Sequence, residues 1–149
     1  MREQFTQHLR QVLDAAQRAA RDLNRDFVSA EHLILGVIDT ADCDAARAIE
    51  RNEVNLPELR NRLMRTLPSG DNPPVVMGEL PLSPKAQRAV HHALVLAQRG
   101  GEPVVSSRLL LCSLLEEPDT AVRDSFRSSG ADLDLLQRKL SEPPERPEE

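Results

Sequence analysis

Apolar residues recur at three- and four-residue intervals from the start of the chain. Leu9, Val12, Leu13, Ala16, Ala19 and Ala20 share one face of a helix that runs to about Leu23, with Thr6 where an N-cap belongs. The block LILGVI after Ser29 is apolar nearly all round, which marks a buried helix capped by that serine. Asp42 can open a third helix, and Asn55 with Glu58 three residues on forms a capping box for a fourth. No stretch alternates with period two, so strands are not expected.

The same pattern then returns. A shift of 77 positions, without a gap, lays FTQHLRQVLDAAQRAARDL over LSPKAQRAVHHALVLAQRG, FVSAEHLILGVI over VVSSRLLLCSLL, and NLPELRNRL over DLDLLQRKL. Identities are few, but the apolar register holds, with Leu13 over Val90, Val37 over Leu114 and Ile49 over Phe126. Ser83 and Pro84 repeat the helix start at Thr6, Ser106 repeats Ser29, Asp119 repeats Asp42, and Gly130 can end the seventh helix. Duplicated units of this kind stack to bury a face that neither buries alone.

The expected fold is therefore all-α, a pseudo-two-fold double four-helix repeat in one domain over residues 1–142. Repeat one covers about 5–66 and repeat two about 82–142, joined by a linker over 67–81 whose four prolines no helix can cross. The segment 143–149 is acidic and proline-rich and is expected to be disordered. Leu33, Leu35, Val37, Ile38, Leu110, Leu111, Leu114 and Leu115 should supply much of a shared core, so that neither half is expected to fold alone.

Composition narrows the function classes. With 149 residues the chain can bury roughly 68–70% of its unfolded surface, which needs no metal or disulfide staple. Two cysteines exclude a secreted disulfide scaffold, and no apolar run approaches the ~18 residues of a membrane span. A soluble, cytoplasmic, monomeric protein is expected. Net charge is -5 and neither Trp nor Tyr is present, so counterion release and base stacking offer little for nucleic acid. Arg18, Arg21 and Arg25 share a helical face and read as a solvated surface.

No phosphate loop, GxSxG, HExxH or CxxC occurs, and no cofactor, metal or catalytic residue is expected. His91 and His92 are adjacent, about 100° apart on a helix, and cannot easily face one metal. Cys112 registers with Leu35 and reads as a small core hydrophobe. Glu31 carries the most interest. It sits in the first turn of the short buried helix, where the macrodipole stabilises a carboxylate and a rigid helix end could present it to a guanidinium. Its counterpart in the second half is Arg108.

These residues resemble a known module. The pattern F-T-x-x-x-x-x-V-L-x-x-A, then S-A-E-H-L-I-L-G-V-I, then V-N-L-P-E-L-R, with L-S-P-K-A opening the second half, resembles the Clp N-terminal repeat domain. That domain stands at the front of the ClpA, ClpB and ClpC group of AAA+ unfoldases. The resemblance covers about Phe5 to Leu140; the second copy has lost the Glu-His pair and the Gly of the family's G-T-E-H-x-L-L-G-L block. It implies a helical domain that docks protein substrates and adaptors and has no ATPase activity of its own. In the ClpC branch, the Glu of each such block and the Thr opening each repeat help bind phosphoarginine. Carried over by position, these are Glu31 with Thr6 in the first half, and Ser83 with Arg108 in the second, where a cation would repel a guanidinium.

The leading class is thus a binding module for protein substrates or adaptors, or for a Clp ATPase, with arginine-phosphorylated proteins among its implied partners. The chain reads as a stand-alone repeat protein or a piece of a longer unfoldase, with Met1 and the drifted second repeat favouring the former. A helical DNA-binding regulator is the alternative, opposed by the acidic charge and the lack of a basic recognition helix. An enzyme built on Glu31 and His32 ranks last, because adjacent helical residues seldom converge on one substrate atom.

Overall fold

In the computed structural model, which describes residues 2–75 and 77–149, a 3-10 turn at Arg2–Gln4 leads into helices in the order the pattern requires. Among the described residues there are eight α-helices: α1 Gln7–Asp22, α2 Ala30–Asp39, α3 Asp44–Arg51, α4 Leu56–Thr66, α5 Pro84–Arg99, α6 Ser107–Leu114, α7 Thr120–Ser128 and α8 Leu133–Ser141. Caps explain most of the boundaries. Thr6, Ser29, Ser83 and Ser106 accept from the backbone N–H of Leu9, His32, Ala86 and Leu109. Asn55 accepts from Glu58 N, but the Glu58 side chain turns outward to Arg62, so the fourth helix has half of the expected box. Gly130, at φ 91°, follows the end of α7 in the left-handed conformation that a glycine adopts without strain.

Two short parallel bridges hold the halves together crosswise. Phe5 pairs with Val105, and Val28 pairs with Leu82. Thr6 N donates to Val105 O at 2.9 Å and Val105 N to Gln4 O at 2.7 Å. In the same sense, Ser83 N donates to Val28 O and Val28 N to Pro81 O, both at 2.8 Å. Each bond maps onto its counterpart under the 77-residue shift, so the entry to the first helix of each half is laced to the entry of the other half's buried helix.

The core is one continuous cluster in which α2 and α6 pack against each other and against the helices around them. All eight aliphatic residues expected there are buried, none above 7% exposure. One close approach is built on a glycine. A Cβ at Gly36 would stand 2.4 Å from Val12 O and 3.1 Å from Ala16 N, so α1 and α2 meet backbone to backbone. Ser113 occupies the matching place on α6 and donates its hydroxyl to Leu109 O.

The two cysteines are buried and unpaired. Cys43 caps α3, its sulfur accepting from Ala46 N, and burial pushes its thiol up to about 11. Burial likewise pushes the Cys112 thiol up, and both side chains pack in the core. In the acidic tail, residues 141–147 carry no helix beyond Ser141 and are exposed, while Glu148 and Glu149 hydrogen-bond to the domain, Glu148 at helix-terminal donors.

His32, the neighbour of Glu31, completes the cap of α2. Ser29 N donates to its Nδ1 at 2.9 Å, and its own N–H donates to Ser29 Oγ. The ring is only 2% exposed, and burial, then the Arg25 charge, pull its pKa from 6.5 to about 4. A histidine kept neutral in the fold binds its proton only on unfolding, so acid favours the unfolded chain. Stability should fall as pH drops from 6.5 toward about 4. The urea midpoint of His32→Asn should lose less than wild type across that window; parallel curves would show that His32 is not the group responsible.

Gly36→Ala should cost about 1–3 kcal/mol, because the added methyl forces α1 off α2. Ser113→Ala should cost under about 1 kcal/mol, since α6 already accommodates a Cβ there. Chemical denaturation of both variants tests the pair; equal losses would place the tight contact elsewhere.

Candidate functional site

The crossed bridges decide which residues can share a site. They carry Ser83 beside Val28 and Ser29, and Thr6 beside Val105 and Ser106. The expected partnership of Glu31 with Thr6 is therefore replaced, as is that of Ser83 with Arg108. Repeat membership in sequence does not translate into proximity, because each mouth of the domain takes one helix start from each half.

The first mouth gathers the N-termini of α2, α5 and α7. Glu31 stands in the first turn of α2, Ser83 caps α5, and Lys85 lies in the first turn of α5. Lys85 Nζ reaches Asp119 Oδ1 at 2.5 Å. Asp119 is the N-cap of α7 yet makes no side-chain cap bond; its carboxylate faces Lys85 and the Glu31 carboxyl instead. A cap given up in this way signals a side chain committed to another task. Burial first, then the Asp119 carboxyl, push the Glu31 pKa above its ordinary value. Hydrogen bonds from Glu31 and then Lys85 lower that of Asp119. The Glu31 and Asp119 carboxyls thus meet at the edge of the mouth with Lys85 as their counter-charge.

Beside this cluster lies a cleft of about 190 Å³. Ala30 of α2, Lys85, Arg88 and His92 of α5, and Glu116 and Glu117 after α6 contribute to its walls. His92 Nε2 contacts Glu116 Oε2 at 2.8 Å. A volume below the ~300 Å³ typical of small-molecule sites suits one or two peptide side chains.

The second mouth gathers the N-termini of α1, α3 and α6. His8 Nε2 lies 3.2 Å from Asp42 Oδ2, which is the Lys85–Asp119 pair transposed by 77 residues. Here the resemblance ends. Arg108 does not face the mouth, as the sequence suggested it would. It is 5% exposed, and its Nη2 pairs with both Glu102 oxygens at 2.8 and 2.9 Å while Nη1 donates to Leu140 O at 2.6 Å. It pins α6 to the end of α8 and repels nothing in the mouth. A glutamate at 108 would face Glu102 and a carbonyl oxygen without a counter-charge.

The signal for this rearrangement was present in the sequence. Under the repeat, Arg25 and Glu31 register with Glu102 and Arg108, so the two charges are exchanged as a pair. No spacing in the sequence joins Lys85, which opens α5, to Asp119, which stands at a helix cap, and none marks Glu148.

Glu148 fills the second mouth. Its Oε1 accepts from Thr6 Oγ1 and Ser107 N, both at 2.7 Å. Its Oε2 accepts from Asp44 N at 2.8 Å and Ser107 Oγ at 2.5 Å. Asp44, whose carboxyl is nearby, has its pKa raised by burial and then by the Glu148 charge. Among the described residues no cluster of His, Cys, Asp and Glu could hold a metal ion, and no helix is long and apolar enough to cross a membrane.

These features can be set beside known proteins. The family described as the Clp repeat (R) N-terminal domain matches residues 4–128 and, again, 81–148. The chain is 31% identical over 140 residues to the chloroplastic chaperone protein ClpC1 of Oryza sativa subsp. japonica, and 30% identical over 132 residues to that of Arabidopsis thaliana. These matches take in 94% and 89% of this chain but 15% and 14% of the relatives' length. Among solved structures, the N-terminal domain of ClpD from Arabidopsis thaliana superposes with a TM-score of 0.74 at 17% identity, over 93% of this chain and 92% of that one. The Hsp104 N-terminal domain from Candida albicans gives 0.75 at 20% identity, over 91% and 88%. The N-domain of ClpV in complex with a VipB peptide gives 0.72 at 12% identity, over 93% and 86%. On the agreement of its duplicated helices with that family over nearly its whole length, the chain belongs to the Clp N-terminal repeat domain family.

Proposed function

We propose that this domain is a non-catalytic docking module that captures protein segments through an arginine side chain at the mouth formed by α2, α5 and α7. The observation that carries this reading is the meeting of Glu31, Asp119 and Lys85 from opposite halves of the repeat. A guanidinium seated between Glu31 and Asp119 would form charge-assisted bonds to both carboxylates. The adjoining cleft of about 190 Å³ suits the rest of a peptide side chain and is too small for a nucleotide. Peptide capture by the ClpV N-domain, a neighbour in fold, supports a docking role.

A phosphorylated arginine fits the same mouth. Its guanidinium would take Glu31, and its phosphate would lie toward the Lys85 ammonium and the Ser83 cap. Substrates and adaptors of a Clp ATPase are the partners this chemistry serves, with the domain acting as a cytoplasmic monomer. Thr6 and Arg108 have no part in this mouth, because the crossed bridges place Thr6 at the other one and Arg108 is tied to Glu102.

A charge-assisted contact of this kind contributes ~1.5–3 kcal/mol when partly buried. Glu31→Ala should therefore weaken capture of an arginine-bearing peptide about tenfold or more, read by fluorescence anisotropy, with little change in the thermal midpoint. Lys85→Ala should lower affinity for a phosphoarginine peptide more than for its unmodified twin. Equal binding of the arginine peptide and its arginine-to-alanine control by wild type, or equal binding of the arginine peptide by wild type and Glu31→Ala, would overturn the assignment.

A further inference from the structure

The mouth at α1, α3 and α6 has an occupant of different chemistry. All four bonds to the Glu148 carboxylate come from donors, two to each oxygen. Two are backbone N–H groups in the first turns of α3 and α6, where the helix dipoles also favour an anion. The other two are hydroxyls, on Thr6 at 5% exposure and on Ser107 at 0%. Both hydroxyls are polarised for the role: Thr6 Oγ1 accepts from Leu9 N, and Ser107 Oγ accepts from Ala45 N, which leaves each proton to be donated outward. The hydroxyls are thus held in place by bonds of the domain's own backbone as well as by the carboxylate. The inward turn of Arg108 leaves the mouth without the acid that could hold a guanidinium, and its donor set takes a carboxylate instead.

The approach to this site is also matched to its occupant. Between α3 and α8 runs a groove of about 750 Å³, with Arg47, Arg51 and Lys139 beside Asp44 and the Glu102-paired Arg108 on the domain side, and Glu142, Glu145 and Arg146 of the tail opposite. The segment SEPPERPEE carries four glutamates to one arginine. Its three prolines keep the segment from continuing α8.

We infer that the second mouth and its groove form a binding site for an acidic, proline-containing peptide, and that residues 142–149 are its ligand within the same chain. The tail holds the site closed against an acidic segment of another protein. It does so at the effective concentration of a tethered ligand, of order millimolar, so even a weak contact keeps the site filled. This site is separate from the mouth at Glu31, and its failure would leave the arginine-docking reading standing.

The test uses the full chain as wild type and as Glu148→Ala, with a fluorescein-labelled synthetic peptide of residues 141–149 and the same peptide carrying alanine at its Glu148 position. The labelled peptide should bind Glu148→Ala at least tenfold more tightly than wild type, and the alanine peptide should bind neither. The amide resonances of Asp44 and Ser107 should move upfield in Glu148→Ala and return when the unmodified peptide is added. Unmoved amides would show that the tail does not occupy the mouth. Equal peptide affinity for both chains, or for both peptides, would overturn recognition by the carboxylate, as would no binding to the variant. An arginine-bearing peptide should bind both chains alike, since it uses the other mouth.

Discussion

Four backbone hydrogen bonds, in two crossed pairs, determine where everything else in this domain can be. Each pair ties the residues just before a long helix of one half to the residues just before the buried helix of the other. They lie in extended segments only a few residues long, flanked by Phe5, Val28, Leu80 and Val105, none of them more than 3% exposed. Such bonds gain strength from their dry surroundings and could not be left unmade without a large desolvation cost. The two buried helices then have no freedom to rotate away, and the shared core of α2 and α6 closes between them.

This lacing turns a tandem repeat into two composite sites. A helix start ends in unpaired N–H groups, and a domain that brings three such starts to each of two mouths creates two places that want an anion. The first mouth supplies its own anions, Glu31 and Asp119, and balances them with Lys85. In the second mouth the equivalent of Lys85 is His8 and the acid has become an inward-facing Arg108. The donors there stay unsatisfied by their own helices until the Glu148 carboxylate arrives. One backbone plan thus yields one mouth edged by two carboxyls and another edged by four donors, and the sequence difference is two exchanged charges, Arg25 with Glu31 against Glu102 with Arg108.

Most of the fold was legible in the sequence because helix signals are local. Thr6, Ser29, Ser83 and Ser106 cap where expected, and the all-apolar blocks lie in the core. The third helix of the first half starts one residue later than Asp42 suggested, since Cys43 takes the cap and Asp42 turns to His8. The sites were less legible, for two physical reasons. Pairing across halves depends on single hydrogen bonds in extended segments too short to carry a periodic pattern. The role of a charge depends on its direction: Glu31 and Arg108 occupy the same register, but one points outward and the other is tied to Glu102. The contacts of the tail carried no sequence signal either. Its composition lacks the apolar residues that pack, but a carboxylate needs only four donors to be held.

The crossed arrangement also changes what drift in one repeat can do. If each half held a complete site, the loss of the Glu-His pair from the second copy would have damaged that copy alone. Because the mouths are composite, the second copy still contributes Ser83, Lys85 and Asp119 to the site containing Glu31, and these residues hold their positions. The change at 108 is felt instead at the mouth opened by Thr6 of the first copy. The inward salt bridge to Glu102 offsets the buried guanidinium, and the Leu140 carbonyl adds a bond that the family's acid could not make. Substitution at 108 therefore alters the chemistry of one mouth through what it withdraws, while the other keeps its full set of side chains. The different side chains at the two mouths of one small domain thus follow from where the backbone crosses.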